Sequence, residues 1–174
     1  MRVVITCGGT GGHIVPALAI ADIIRENEPH AEILFVGGKN GMEKELVTRA
    51  GYEIRLLDVQ GLSRRISFSN FRAVARAIRA SGEARRILKS FRPDLVIGTG
   101  GYACYPTLRA AISLRIPTAV HESNAVPGLA VKLLAPRLDR VWLNFEKARE
   151  ALPKRSRTLV VGNPLPRGYR PGTE

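Results

Sequence analysis

Residues 7–19, CGGTGGHIVPALA, place four glycines and a histidine between a strand-like run and a helical one. At such a turn, unpaired backbone N–H groups and the positive end of the helix dipole favour an anion. Any side chain at Gly8, Gly9, Gly11 or Gly12 would hold phosphate oxygens away. His13 stands at the helix entry, where the dipole favours a neutral ring that can accept a proton. A general base beside an anion cradle suits transfer of an electrophilic group onto a phosphate-bearing alcohol. Taken singly, glycines also make ordinary tight turns, and a histidine at a helix start also caps or packs. Two named phosphate motifs do not fit. A dinucleotide fingerprint starting at Gly9 requires glycine where Ile14 stands and an acid where FVGGKN ends the second strand, and the Gly-Lys-Ser/Thr of a P-loop is absent.

Two further clusters follow strand-like runs. GTGGY at 98–102 repeats the strand-to-helix setting with Gly100, Gly101 and Tyr102, and two facing nests of amides can grip a diphosphate. HESNAVPG at 121–128 contributes His121, Glu122, Ser123 and Asn124, with Pro127 suited to a helix start.

The elements that must carry these residues alternate along the chain. Short β-branched runs at 2–6, 32–37, 53–58, 94–98, 117–122, 139–144 and 157–162 are separated by helical candidates at 14–27, 41–50, 68–80, 83–91, 104–115 and 127–135. Several runs are apolar at consecutive positions, as expected when helices cover both faces of a sheet. The pattern predicts one α/β domain over 1–162, a doubly wound, mostly parallel Rossmann-like sheet. Ligands then bind beyond the carboxyl ends of the strands, where all three clusters fall. The Pro- and Gly-rich segment 163–174 reads as a linker.

Charge is unevenly spread. Residues 1–62 hold six Lys/Arg against eight Asp/Glu, a balance of −2; since the whole chain is +12, the remainder carries +14. Such a field attracts phosphates, nucleic acid or an anionic membrane, and by itself selects none of them. Cys7 and Cys104 provide neither a disulfide framework nor zinc-site spacing, which fits a reducing cytoplasm. The opening MRVVITCGG reads as a strand rather than a secretion signal, and no run approaches the roughly 20 apolar residues that span a bilayer.

The densest basic stretch is also apolar. Along 68–80, Phe68, Phe71, Val74 and Ile78 share one helical stripe, and Arg72, Arg76 and Arg79 share the next. After Ser81-Gly82 the apolar positions move to another face, so the sequence predicts a break, with 83–91 covering the sheet and 62–80 projecting. Leu62, Ile66, Phe68 and Phe71 are then exposed beside arginines. That combination suits an anionic leaflet, and no nucleic-acid motif is present.

GGTGGHIVPALAIA, GMEKELVTRAGYEI, DLVIGTGGY, PTAVHESNAVPG and the late GNP, in this order over residues 1 to about 164, together resemble the MurG family. These are membrane-associated transferases that move N-acetylglucosamine from UDP-N-acetylglucosamine onto lipid I, undecaprenyl-diphospho-muramoylpentapeptide, in peptidoglycan synthesis. The resemblance implies a GT-B architecture of two Rossmann-like halves, with this chain the N-terminal, acceptor-binding half and a C-terminal half binding most of the donor. It implies no cofactor, no metal, and a peripheral position on the cytoplasmic face of the plasma membrane. Carried over by position, it assigns Gly8 to Gly12 and Gly100 to Tyr102 to the acceptor diphosphate. Thr10, Gly11, Gly12 and Asn124 also reach the donor. His13 becomes the leading candidate base and Glu122 the second, with Tyr102, His121 and Asn124 in support. One departure concerns the donor: Pro166 stands where the family has an arginine, and Arg167 follows one position later. Two other readings share these residues, a non-catalytic subunit presenting a polyprenyl diphosphate to a separate chain and a related transferase with a diacylglycerol acceptor.

Overall fold

The structure, a computed structural model, describes residues 1–59 and 69–165, and for 69–78 the backbone alone. Seven strands alternate with helices. These are β1 (Arg2–Thr6), α1 (Gly11–Asn27), β2 (Glu32–Gly38), α2 (Glu43–Arg49), β3 (Glu53–Leu57), α3 (Ser69–Phe91), β4 (Leu95–Gly98) and α4 (Cys104–Ser113). There follow β5 (Thr118–Glu122), α5 (Leu129–Leu134), a 3₁₀ turn (Ala135–Arg137), β6 (Arg140–Leu143), α6 (Lys147–Glu150) and β7 (Thr158–Val160).

All the strands pair in parallel, in the order β3-β2-β1-β4-β5-β6-β7. Alternate residues of one strand serve two cores, which is why the runs read as continuously apolar. Val3 and Ile5 join Phe35, Ile97 and Ala119 beneath Ile14, Ala17 and Ala21 of α1 and Val47 of α2. Val4 joins Val36, Val96, Val120 and Val141 on the opposite face, beneath Leu88 of α3, Leu108 of α4 and Leu134 of α5. The expected doubly wound α/β domain is the fold observed.

Strand order reverses at β1. The chain steps from β1 outward through β2 and β3, then returns to lay β4 on the other side of β1, with Thr6 opposite Gly98. The crossovers on the two sides lie on opposite faces, so a crevice opens beyond the carboxyl ends of β1 and β4. Both glycine turns begin there.

Two expectations need correction. The predicted break at Ser81-Gly82 is absent, and α3 runs unbroken for 23 residues. Ala80, Ala84 and Leu88, four residues apart, are all buried on one face, so the packed stripe continues across Gly82. Nothing surrounds the Cβ position of Gly82, and an exposed helical glycine costs only about 1 kcal/mol relative to alanine. At 1.5 Å per residue α3 is about 34 Å long, well over twice the roughly 13 Å of the four-residue β4. The second correction is α6, a single turn that the sequence does not announce.

Of the residues expected on the membrane face, Leu62, Ile66 and Phe68 lie outside the described residues, as do the side chains of Phe71, Arg72, Val74, Arg76 and Ile78. Arg79 is exposed. Pro166 and Arg167 also lie outside the described residues. Among the described residues no helix is long and apolar enough to cross a membrane.

Candidate active site

The β1 and β4 exits are built against each other. Beyond the paired ends, Thr99 N–H donates to Thr6 O at 3.0 Å and extends the ladder by one bond. Gly101 then adopts φ +87°, a conformation that favours glycine, and its missing Cβ would overlap the backbone of Gly8. The two turns therefore touch main chain to main chain, an approach closed to any residue with a side chain. Gly9, at φ +88°, packs beneath the ring of Tyr102, which is 54% exposed.

The amides of these turns divide into two sets. Gly9 N–H donates to Glu43 Oε1 at 3.2 Å, and Gly100 N–H donates to Cys104 Sγ at 3.1 Å. Thr10, Gly11, Gly12, Gly101 and Tyr102 donate to no protein acceptor among the described residues. Gly11 and Gly12 open the 17-residue α1, whose first-turn amides and dipole favour an anion. The two touching turns thus set open amides side by side, with Gly9 and Gly100 shaping the backbone and their neighbours offering the donors.

His13 is half-buried in the first turn of α1 and fixed by a reciprocal pair of bonds to Thr99. Its Nδ1 lies 3.0 Å from Thr99 O, and Thr99 Oγ1 donates to His13 O at 2.7 Å. A carbonyl only accepts, so Nδ1 carries the proton, and in the neutral ring Nε2 is left as acceptor. The ring lies over Gly100, where a Cβ would overlap it. Orientation and tautomer are both set before any ligand arrives, as a general base requires.

The third cluster is organised differently. Glu122 is 3% exposed, and both carboxylate oxygens are engaged. Oε1 accepts Asn124 N–H at 2.9 Å and Asn124 Nδ2 at 2.7 Å; Oε2 accepts Gly128 N–H at 2.9 Å. The group ties down its own loop up to the start of α5. His121 is buried, with Nε2–H donating to Gly162 O at 2.9 Å and Nδ1 3.4 Å from Ser123 Oγ. Burial pulls its pKa below the usual imidazole value. Ser123 Oγ also lies 3.3 Å from Asn163 Oδ1, so β5 is fastened to the segment after β7. Asn124 alone in this cluster is exposed at the carboxyl edge.

The cysteines are structural. Cys104 is buried at the start of α4, with Sγ 3.0 Å from Thr6 O and 2.9 Å from Gly100 O, and burial pushes its thiol up to about 12. Burial likewise raises Cys7. Sequence reasoning passed over Thr99, legible only as the residue between the β4 run and its glycine pair, and Glu43, an acid just after the glycine-rich GGKNG.

The domain is thus Rossmann-like, with two touching glycine turns at its switch point and an oriented imidazole beside them. The chain belongs to glycosyltransferase family 28, whose N-terminal domain matches residues 3–143. It is 49% identical over 165 residues to the UDP-N-acetylglucosamine--N-acetylmuramyl-(pentapeptide) pyrophosphoryl-undecaprenol N-acetylglucosamine transferase of Caldanaerobacter subterraneus subsp. tengcongensis, covering 95% of this chain and 45% of that protein. Its identity to the protein of the same name from Alkaliphilus oremlandii is 45% over 174 residues, covering 100% and 48%. The fold superposes on the crystal structure of Acinetobacter baumannii MurG with a TM-score of 0.78 at 29% identity, over 95% of this chain and 46% of the other. The expected resemblance to MurG and the Rossmann-like N-terminal fold are thereby borne out. The chain spans about half the length of the curated relatives it matches.

Proposed function

We propose that this chain is the acceptor-holding half of an inverting glycosyltransferase that moves N-acetylglucosamine from UDP-N-acetylglucosamine to undecaprenyl-diphospho-muramoylpentapeptide, forming lipid II. Residues 1–162 form the acceptor domain, 163–174 lead toward the donor-binding half, and the whole works peripherally on the cytoplasmic face of the plasma membrane. One observation carries the reading: open amides at two touching glycine turns, beside an imidazole whose Nδ1 is committed and whose Nε2 is not.

Thr10, Gly11, Gly12, Gly101 and Tyr102 amides hold the acceptor diphosphate. The acceptor hydroxyl gives its proton to His13 Nε2 while its oxygen attacks the anomeric carbon from the side opposite UDP. The new C–O bond forms as the bond to the diphosphate breaks, and UDP leaves with that electron pair. Asn124 reaches the donor from this side of the cleft. Glu122, its oxygens already engaged, positions Asn124 rather than taking the proton, and His121 holds the segment behind it.

The membrane face is the α3 side. Beside the expected stripe, Arg85, Arg109 and Arg137 line a concavity of about 350 Å³ floored by Ile112 and Leu134, with no carboxylate among its lining residues. That supports a surface for anionic headgroups.

Two experiments test the proposal. Residues 1–174 alone should show no transfer above background and gain it when a separately expressed donor half is added. Robust unaided transfer would overturn the division of labour. Phe68→Ser with Phe71→Ser should lower co-sedimentation with anionic vesicles without lowering the melting temperature, and unchanged sedimentation would remove the membrane role from this helix.

A further inference from the structure

Among the described residues, Glu43 is the one fully buried acid whose role the reading above leaves unused. It is the first residue of α2 and 1% exposed. A carboxylate there would ordinarily face solvent or its own helix amides. Instead it turns inward to the exits of β1 and β2. Oε1 accepts Gly9 N–H at 3.2 Å and Gly38 N–H at 2.9 Å, while Oε2 is buried with no hydrogen-bond partner. A buried carboxylate is costly unless it is hydrogen-bonded, so this one persists because the neighbouring backbone is arranged around it. Gly37 and Gly41 are the clearest signs, since a Cβ at either would overlap the Glu43 side chain. A Cβ on Gly8 would come within 3.0 Å of Oε1.

We infer that Glu43 is a positioning residue for the acceptor diphosphate, a strut that pins Gly9 through its N–H and so sets the cradle without touching the ligand. This rests on the functional reading above. The consequence is a division of amides. Gly9 N–H is withdrawn from the ligand, its φ of +88° is held, and the turn is fixed where Gly8 meets Gly101 and Gly9 meets Tyr102. The anion grip falls to the amides from Thr10 onward and to those of Gly101 and Tyr102. Because an acceptor oxygen rather than charge does this work, the neutral isostere should serve, and truncation should not.

The test uses the 1–174 chain, geranyl diphosphate as a soluble probe, and backbone amide NMR of wild type, Glu43→Gln and Glu43→Ala. In wild type the probe should shift the Gly11, Gly12, Gly101 and Tyr102 amides and leave Gly9 nearly still. Glu43→Gln should bind within about twofold of wild type, and Glu43→Ala about tenfold or more weakly, in line with losing the acceptor of two backbone N–H groups. Glu43→Asp, one methylene shorter, takes the place of the alanine variant if that fails to fold, with the same weakening expected. Equal binding by the truncated variant, or a Gly9 amide that moves as far as those of Gly11 and Gly12, overturns the proposal. If wild type takes up no probe, the functional reading falls, and the amides alone judge the strut. Upfield movement of Gly9 and Gly38 in the truncated variant but not in Glu43→Gln upholds it, and no movement refutes it.

Discussion

The β1 and β4 exits and the β5 exit look alike in sequence. Each ends a buried parallel strand, each carries polar side chains, with a histidine at β1 and β5 and Thr99 and Tyr102 at β4, and each enters a helix at the carboxyl edge. They differ in what the local backbone consumes. At the first two exits glycine removes side chains, the amides of Thr10, Gly11, Gly12, Gly101 and Tyr102 stay open among the described residues, and a single bond to Thr99 leaves one nitrogen of His13 uncommitted. At β5 the loop lacks such emptiness, and its polar groups are used on itself: three donors on Glu122, and Gly162 on His121. Polar residues at the right edge of a sheet are therefore not equivalent as reagents, and the accounting of donors and acceptors separates a reactive group from a scaffold.

The largest expected effect tests that separation directly. With both halves of the enzyme present, His13→Ala should cut transfer by about a hundred- to ten-thousand-fold, the range for a general base, with acceptor binding largely kept. Glu122→Gln, measured in the same assay, should stay within about tenfold of wild type, since one oxygen still accepts a loop N–H. The reverse order would exchange the roles of the two exits.

Next comes the contact between the turns. Gly101→Ala combines a strained φ with overlap on Gly8, so urea denaturation should show a loss of about 3 kcal/mol. A loss under about 1 kcal/mol would mean the turns can separate freely.

The smallest effect concerns the β5 side. His121 has its pKa lowered by burial, so the unfolded chain takes up this proton more readily than the folded one. Stability from the buried neutral ring is complete above the ordinary imidazole value of about 6.5 and is lost as pH falls through the lower folded value. The stability advantage of wild type over His121→Gln, measured by urea denaturation, should shrink between pH 8 and pH 5.5. An advantage that grows on acidification would mean the ring is favoured as a cation.

The sequence made the strands and both glycine turns legible because their signals are local: β-branched runs that lead into clustered glycines at the β1 and β4 exits. The α3 helix read as two pieces because its apolar face rotates near Gly82, and only the placement of Ala80 against the core shows that the same face continues. Thr99 stayed hidden because His13 lies 86 residues away, and the reach of Glu43 to the β1 exit because Gly9 lies 34 away, although its bond to Gly38 spans only five. Glu122 was nearer to hand. Its partners, Asn124 and Gly128, are only two and six residues distant, so its role as a loop anchor was open to a reading of side chain to backbone bonds.

The bond between His13 and Thr99 has a kinetic consequence. It joins residues 86 apart, with the strands β2 and β3 and their helices in the chain between them. Contacts so distant along the chain are entropically late, so a nascent or refolding polypeptide carries a freely spinning imidazole until its two flanks dock. A fixed orientation of this ring is then among the last properties the domain acquires, and it doubles as a report that the sheet is whole.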